Sequence, residues 1–315
     1  MEDHSSKFSK KKSGIFFFKS SSPFEFYHIL NNIDLEPKEN IYGSLIFPEN
    51  AKLPCPLVIA IHGSAGLRGN HHDHIVNLLE AGIAVFRIHS FEARGLISIV
   101  ENQMAVTLAT MITDAFRALS LISQHPDIDS NKIGIAGWSL GGSTAFYSAW
   151  QPIIDSLTID NEKFSAHLPL YPGTHIKPVI NEWSDAPMHI LCGKDDDYTP
   201  TSLVENILEY IKPNKSNIDL TVYPDAHHSF DSIEPLEFIP FAIKLKEQFA
   251  TIDKEGHLNF TTDKNEIINI DSKEGRMRLL QETPNILGAH TGGNWVARRQ
   301  SHKDVVSFFK KHFLA

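Results

Sequence analysis

Residues Lys132 to Ala145 read KIGIAGWSLGGSTA, and this stretch decides the fold. Its first part is a short apolar run of the kind that a buried parallel strand shows. The next five residues, 137–141, match G-x-S-x-G ahead of a helix start rich in small residues. A strand that turns into a helix this quickly strains its central residue and leaves little room beside it, so glycines are expected there. The pattern predicts that Ser139 lies at the apex of a tight turn, with the N–H of Leu140 directed at a developing oxyanion.

The motif alone does not establish a catalytic serine. G-x-S-x-G is common by chance, and the alternative is a Gly/Ser loop without chemistry. The rest of the chain has to decide between these interpretations.

Composition and length indicate one folded domain. The chain has 315 residues, of which 42% are hydrophobic, enough for a full core. This length lies within the range that α/β folds reach as one unit. We therefore expect a flexible tail over residues 1–14 and a single domain over 15–315, with an insertion at about 231–300.

Charge, cysteine content and hydropathy bear on partners and compartment. A formal charge of −9 argues against nucleic acid as a partner. No apolar segment approaches the roughly 20 residues of a membrane span, and the run that starts at Ile15 is too short for a signal peptide. Cys55 and Cys192 fit a reducing compartment. We expect a cytoplasmic protein without a membrane partner, as a monomer or a homodimer.

Strand and helix patterns alternate along the chain. The predicted strands cover residues 41–47, 57–61, 83–88, 133–136, 166–170, 188–192 and 220–223, and the predicted helices cover 76–80, 104–124 and 202–210. Such alternation predicts an α/β fold with a mostly parallel, doubly wound sheet and helices on both faces. In such sheets the ligand site lies beyond the carboxyl ends of the strands.

Two polar loops follow predicted strands after the serine. A serine hydroxyl needs a base and a group that orients the base, and on this kind of sheet the acid precedes the histidine in the chain. GKDDDYTP at 193–200 offers Asp195, Asp196 and Asp197, and PDAHHSF at 224–230 offers His227 and His228. The alternative is that the aspartates form a solvated turn and the histidines are surface polarity.

These loops carry a resemblance to the dienelactone hydrolase family of α/β-hydrolases. The matched motifs are GWSLGG at 137–142, GKDDDYTP at 193–200, AHHSFD at 226–231 and SFEARG at 90–95. HTGGN at 290–294 and a closing helix at 304–313 are similar to the end of a bacterial branch, so the resemblance covers roughly residues 40 to 315. It implies Asp196 as the acid and His228 as the base, with Asp197 the neighbour most easily confused with Asp196.

The departures from the family's namesake concern the nucleophile. That enzyme has a cysteine where this chain has Ser139, and an acidic residue in its oxyanion loop where this chain has Gly63. The resemblance therefore implies a serine hydrolase for a small carboxylic ester, lactone or thioester, and makes dienelactone itself a doubtful substrate. Its oxyanion hole would use the N–H groups of Leu140 and Ser64, while His62 braces the loop.

Two residues are candidates for substrate contact. Arg94 matches an arginine that resembles the family's carboxylate clamp, and the alternative is a salt bridge to Glu92 or to a carboxylate on the following helix. Trp138, beside the serine, is the second candidate.

No cofactor and no metal is expected. His71, His72 and His74 are interpreted as part of a solvated loop before a helix, because no second cluster with ligand spacing accompanies them. Two other functions stay open: a peptidase of the prolyl oligopeptidase type, and a catalytically silent binding protein on the same fold.

The segment 231–300 is long for this fold. It predicts a helix at 241–249 and a small hairpin from 258–261 and 267–271. This segment would either roof the site and select substrates or form an oligomer contact.

Overall fold

The computed structural model of the protein describes residues 13–160, 162–283 and 287–314. Its fold is built on an eight-stranded sheet. The strands in chain order are β1 Gly14–Ser20, β2 Glu39–Ile46, β3 Cys55–Ile61, β4 Ala84–Ile88, β5 Ile128–Trp138, β6 Ala166–Leu170, β7 Ile176–Pro178, β8 Met188–Gly193, β9 Ile218–Tyr223, β10 Glu237–Ile243, β11 Ala250–Ile252, β12 Leu258–Thr261, β13 Ile267–Asn269 and β14 Leu287–Thr291. The main sheet has the order β1-β2-β4-β3-β5-β6-β8-β9. Its first two pairings are antiparallel and the others are parallel. The predicted mostly parallel α/β sheet is confirmed.

Helices cover both faces of this sheet. They are α1 Phe26–Asn32, α2 Gly69–Glu80, α3 Leu108–Ile122, α4 Leu140–Tyr147, α5 Gln151–Leu157, α6 Thr201–Ile211, α7 Lys273–Glu282 and α8 Trp295–Phe313. α3 and α4 pack together against one face, whereas α2 and α8 pack together against the other. The doubly wound arrangement is thereby confirmed.

Strand β3 shows why the sheet is buried on both sides. All seven of its residues are buried. Leu57 and Ile59 belong to the core cluster under α3, while Val58 and Ala60 belong to the cluster under α2 and α8. Successive side chains of a strand point to opposite faces, so a continuously apolar strand requires a layer on each face.

Several elements are longer than their sequence patterns indicate. α2 begins at Gly69 rather than at residue 76, because two of its inward-facing residues are the buried histidines His71 and His74, which a hydropathy pattern does not count as apolar. α8 begins at Trp295, where the side chain of Asn294 accepts hydrogen bonds from the first turn. Of the predicted tail, residues 1–12 lie outside the described residues, and Gly14 already begins β1.

The segment 231–300 departs most from its prediction. The hairpin is confirmed, since β12 and β13 pair antiparallel. The predicted helix at 241–249 is wrong: β10 runs to Ile243 and pairs with β14, and residues 244–249 are not helical. The partner strand of β10 lies far along the chain, so local periodicity carries no information about this pairing.

Two smaller sheets lie beside the main one. β10 and β14 form one of them. The other has the order β13-β12-β11-β7, and in it β11 runs parallel to β7, the short strand that follows β6 in the chain. Among the helices of the described residues, none combines the length and the apolar composition that crossing a bilayer requires.

Candidate active site

Ser139 occupies a strained turn between β5 and α4. Its backbone has φ 56° and ψ −113°, a conformation that residues with a side chain rarely adopt. A Cβ on Gly137 would lie 2.0 Å from the carbonyl oxygen of Gly141, and a Cβ on Gly141 would lie 2.1 Å from that of Ile61. Both glycines are therefore required by close backbone approach, and the half-buried serine is held at the carboxyl end of the sheet.

The structure brings Ser139, His228 and Asp196 together. The Nε2 atom of His228 lies 2.9 Å from Oγ of Ser139. Its Nδ1 atom lies 2.8 Å from Oδ2 of Asp196. His228 and Asp196 are almost completely buried, with side-chain exposures of 4% and 1%. One imidazole thus connects a hydroxyl and a carboxylate that are far apart in the sequence, which is the geometry of a serine nucleophile with its base and orienting acid.

The loop after β8 holds the carboxylate of Asp196 in place. Its Oδ1 atom accepts hydrogen bonds from the backbone N–H groups of Tyr198 and Thr199, each at 2.9 Å. The hydroxyl of Thr199 lies 3.0 Å from Oδ2 of Asp196 and 3.1 Å from Nδ1 of His228. Three local donors therefore fix the direction in which the carboxylate faces the imidazole.

The neighbouring aspartates have different surroundings. Asp195 is exposed. Asp197 turns toward β14, where the N–H of His290 donates to its Oδ1 at 2.8 Å and Nδ1 of His290 lies 2.9 Å from its Oδ2. Partial burial would raise the pKa of Asp197, but the hydrogen bonds from His290 outweigh it and lower that pKa. Of the three aspartates, only Asp196 contacts His228.

Strand β14 braces the histidine loop, a contact that the sequence analysis missed. The backbone oxygen of His228 accepts hydrogen bonds from the N–H of Gly292 at 2.9 Å and from the hydroxyl of Thr291 at 3.2 Å. Gly292 has a φ of 153°, and a Cβ there would lie 2.4 Å from the oxygen of Pro235. The HTGGN motif was the available signal, since its glycine marks a position where the backbone approaches another segment closely.

A buried polar network of Tyr171, Asp231 and His74 lies beside His228. The ring of Tyr171 packs edge-on against the ring of His228, with centroids 4.7 Å apart. The hydroxyl of Tyr171 donates to Oδ1 of Asp231 at 2.9 Å, and Nε2 of His74 lies 3.0 Å from Oδ2 of the same carboxylate. Burial would raise the pKa of Asp231, but the contact with His74 outweighs it and lowers the pKa to about 2. Asp231 ends the AHHSFD motif, yet sequence reasoning assigned it no role.

Two backbone N–H groups near the serine have no backbone partner among the described residues. Leu140 is the first residue of α4, so its N–H has no partner within the helix. The N–H of Ser64 makes no hydrogen bond to any residue that the structure describes. Both residues line the same pocket as Ser139. The ring of His62 contacts the carbonyl oxygen of Gly63 at 3.0 Å, as expected of a brace for this loop.

Gly63, where the family's namesake carries an acidic residue, packs closely against the serine turn. A Cβ at this position would lie 3.3 Å from Cβ of Ser139 and 3.0 Å from the oxygen of Trp138. A side chain at this position would therefore require small shifts of the serine turn.

A pocket of about 460 Å³ opens at Ser139. Apolar side chains from distant parts of the chain line it, including Ile176, Leu245, Phe260 and Leu279. Three of these four residues belong to the segment 231–300. Most of the surface facing the serine is therefore apolar, and much of it comes from outside the core sheet.

An ion pair closes one part of this pocket. Arg276 of α7 pairs with Glu25, which is buried at the start of α1, and the Arg276 guanidinium lies 4.7 Å above the ring of Phe24. Burial lowers the pKa of Arg276 to about 10. The pair joins α7 to the N-terminal part of the chain across the pocket.

The structure places neither Arg94 nor Trp138 in this pocket. The Arg94 guanidinium is bound to Asp114 at 2.7 Å and to Glu39 at 2.9 Å, and its side chain is 9% exposed. Asp114 belongs to α3, so the observed contact is a salt bridge to a carboxylate on the following helix. The prediction that Arg94 clamps a substrate is therefore corrected, because its donors are already satisfied inside the protein.

The prediction that Trp138 contacts the substrate is corrected for a different reason. Its side chain is 1% exposed and points to the other face of the sheet, where it packs against His71 and His74 with ring centroids 4.6 and 5.6 Å away. Side chains alternate along β5, so the residue before Ser139 faces away from it. The same contacts correct the interpretation of His71 and His74 as part of a solvated loop.

Comparison with known proteins identifies the family. The model of the dienelactone hydrolase family matches residues 41–237, the part that contains Ser139, Asp196 and His228. A probable 2-oxo-3-(5-oxofuran-2-ylidene)propanoate lactonase from a Bradyrhizobium species is 24% identical over 186 residues, which are 56% of this chain and 73% of that protein. A dienelactone hydrolase-like promiscuous phosphotriesterase from metagenomic libraries has a similar fold, with a TM-score of 0.53 and 14% identity over 95% of this chain and 98% of that one. Since the family model covers more than half of the chain, the protein belongs to the dienelactone hydrolase family of the α/β-hydrolase superfamily and is a hydrolase for esters or lactones.

Proposed function

We propose that this protein cleaves carboxylic esters or lactones through an acyl-enzyme formed on Ser139. The observation that carries the proposal is the position of the His228 ring, 2.9 Å from the serine hydroxyl and 2.8 Å from the Asp196 carboxylate. Family membership supports the substrate class. The three residues act as nucleophile, general base and orienting acid.

The mechanism follows from these contacts. Asp196 accepts the Nδ1–H of His228, which leaves Nε2 free to take the proton of Ser139 as its oxygen attacks the carbonyl carbon. The imidazolium then gives this proton to the leaving alkoxide. Water then attacks the acyl carbon with His228 as the base, the bond to Oγ of Ser139 breaks, and the imidazolium returns its proton to that oxygen as the acid is released.

The N–H groups of Leu140 and Ser64 stabilise the tetrahedral oxyanion in this mechanism. Both line the pocket at Ser139, and neither donates to another backbone group in the described part of the chain. Removing one such donor typically costs about 3 kcal/mol of transition-state stabilisation. The strained backbone of Ser139 contributes by holding its oxygen between the imidazole and these donors.

The pocket supports a substrate with a sizeable apolar part. Ile176, Phe260 and Leu279 line a cavity of about 460 Å³ beside the serine. Burying an apolar group removes its surface from water, which is favourable by roughly 25 cal/mol per Å². We expect esters with longer acyl or alcohol chains to have a higher kcat/KM than acetates.

The catalytic assignment is tested by turnover of p-nitrophenyl esters of graded chain length. We expect Ser139→Ala and His228→Ala to lower kcat/KM by several powers of ten, as loss of a triad member usually does. A fluorophosphonate probe should label the wild type and not Ser139→Ala. Circular dichroism and melting curves of both variants check that the fold is retained.

Residual activity within about tenfold of the wild type in either folded variant would contradict the proposal. Labelling combined with cleavage of peptides but not of esters would indicate a peptidase instead. An absence of labelling would indicate a binding protein.

A further inference from the structure

Asp197, His227 and His290 form a second cluster beside the proposed triad. Each offers a ligand atom, and these atoms all lie within 4.8 Å of one another. The three residues come from three separate segments: the loop after β8, the histidine loop and β14. Asp197 and His227 are sequence neighbours of Asp196 and His228, yet they belong to this cluster rather than to the triad contacts.

We propose that Asp197, His227 and His290 bind a divalent transition-metal ion, with Zn²⁺ the best match. Imidazole nitrogen and carboxylate oxygen are ligands that zinc prefers. Zinc sites with three protein ligands keep a fourth position for water, and two histidines with one carboxylate are such a set.

The ring of His227 is available for a metal. It makes no hydrogen bond to any residue within the described ranges, and its Nδ1 atom is buried without a partner. A buried polar atom without a partner costs free energy, which a bond to a metal ion would offset. Its ring packs against that of His290, with centroids 5.6 Å apart, so the two imidazoles are already adjacent.

The other two ligands are held together and remain accessible. Nδ1 of His290 lies 2.9 Å from Oδ2 of Asp197, and the side chains are 42% and 40% exposed. An ion would replace the proton that these two atoms share, and water could reach the fourth position from solvent. The backbone N–H of His290 holds the other carboxylate oxygen at 2.8 Å, which fixes the orientation of this ligand.

Binding would join the two loops that carry Asp196 and His228 to β14. Asp197 adjoins the acid, His227 adjoins the base, and Thr291 and Gly292 of the neighbouring segment already contact the backbone of His228. The ion would thus have a positioning role and would not contact the substrate. The proposal stands independently of the serine mechanism.

The test uses the full-length protein without an affinity tag, stripped with a chelator and titrated with ZnCl₂ by calorimetry. We expect one Zn²⁺ per chain. At free zinc about 100 times Kd, the melting temperature should rise by about 4 °C, as linkage predicts for a chain of this size. Co²⁺ should give visible ligand-field bands of a low-coordinate nitrogen and oxygen site.

Variants locate the site. His227→Ala and His290→Gln should each raise the Kd for zinc by more than about 100-fold. Loss of a residue that only hydrogen-bonds to a ligand already costs roughly 10- to 100-fold. His72→Ala changes an exposed histidine of α2 and should bind zinc like the wild type. Ser139→Ala should also keep zinc binding, which separates this proposal from the catalytic one.

Two results would overturn the inference. One is the absence of saturable binding by the stripped wild type. The other is unchanged affinity in a folded His227→Ala/His290→Gln double variant, which would mean that zinc binds elsewhere.

Discussion

Three consecutive aspartates have three different environments. Asp195 is exposed, Asp196 contacts His228 at 2.8 Å, and Asp197 contacts His290 at 2.9 Å. The difference arises from the loop backbone, because two N–H groups receive the Asp196 carboxylate and turn it toward the imidazole. Composition and hydropathy do not separate these residues, and only the resemblance to the family singled out Asp196 in the sequence.

Replacing Asp196 should therefore affect the chemical step. We expect Asp196→Asn to lower kcat by about 10³- to 10⁴-fold with little change in KM, because an amide favours the wrong imidazole tautomer. Asp195→Asn is the matched control and should keep wild-type kcat. Steady-state kinetics with one p-nitrophenyl ester measures both, and equal activity of the two variants would refute the role given to Asp196.

At the scale of elements, the part of the chain beyond the family match supplies much of the pocket wall. The family model ends at residue 237, while β14 braces His228 and α7 faces the pocket. Met277 and Leu280 of α7 line the cavity, whereas Arg278 points outward and pairs with Glu282. Substrate preference should therefore depend on this helix more than on the sheet.

Truncating a pocket residue of α7 should change selectivity. We expect Met277→Ala to lower kcat/KM for a long-chain ester by about fivefold, since a substrate chain that covers roughly 40 Å² of this partly exposed side chain gains about 1 kcal/mol. Acetate turnover should change little. Arg278→Ala, on the adjacent outward position, should leave the chain-length profile as in the wild type, and a parallel loss in both variants would contradict a role of α7 in selectivity.

At the scale of the whole molecule, buried neutral histidines make stability depend on pH. Burial lowers the pKa of His71 and of His167 to about 3 in each case, from an ordinary 6.5. The unfolded chain binds these two protons below pH 6.5, whereas the folded chain does not. Their contribution to the free energy of unfolding is therefore fully present above pH 6.5 and is lost as the pH falls toward 3.

Urea unfolding between pH 7.5 and 4.5 should reveal this loss. Each group contributes about 1.4 kcal/mol per pH unit below pH 6, so the two together contribute roughly 3 kcal/mol per unit. His167→Gln should reduce the slope by about half of that amount. A free energy of unfolding that stays constant over this range would contradict the prediction.

The sequence by itself determined the α/β sheet, its helices on both faces, the tight turn at Ser139 and the loops from which an acid and a base would come. These features depend on apolar runs, periodicity and glycine spacing, which act between residues close in the chain. Tertiary structure alone decided the pairing of β10 with β14, the partners of Asp197 and His227, the burial of Arg94 against Asp114 and the α7 wall of the pocket. The physical reason is that these contacts join segments tens to hundreds of residues apart, and their formation depends on how the whole chain packs rather than on local conformational preference.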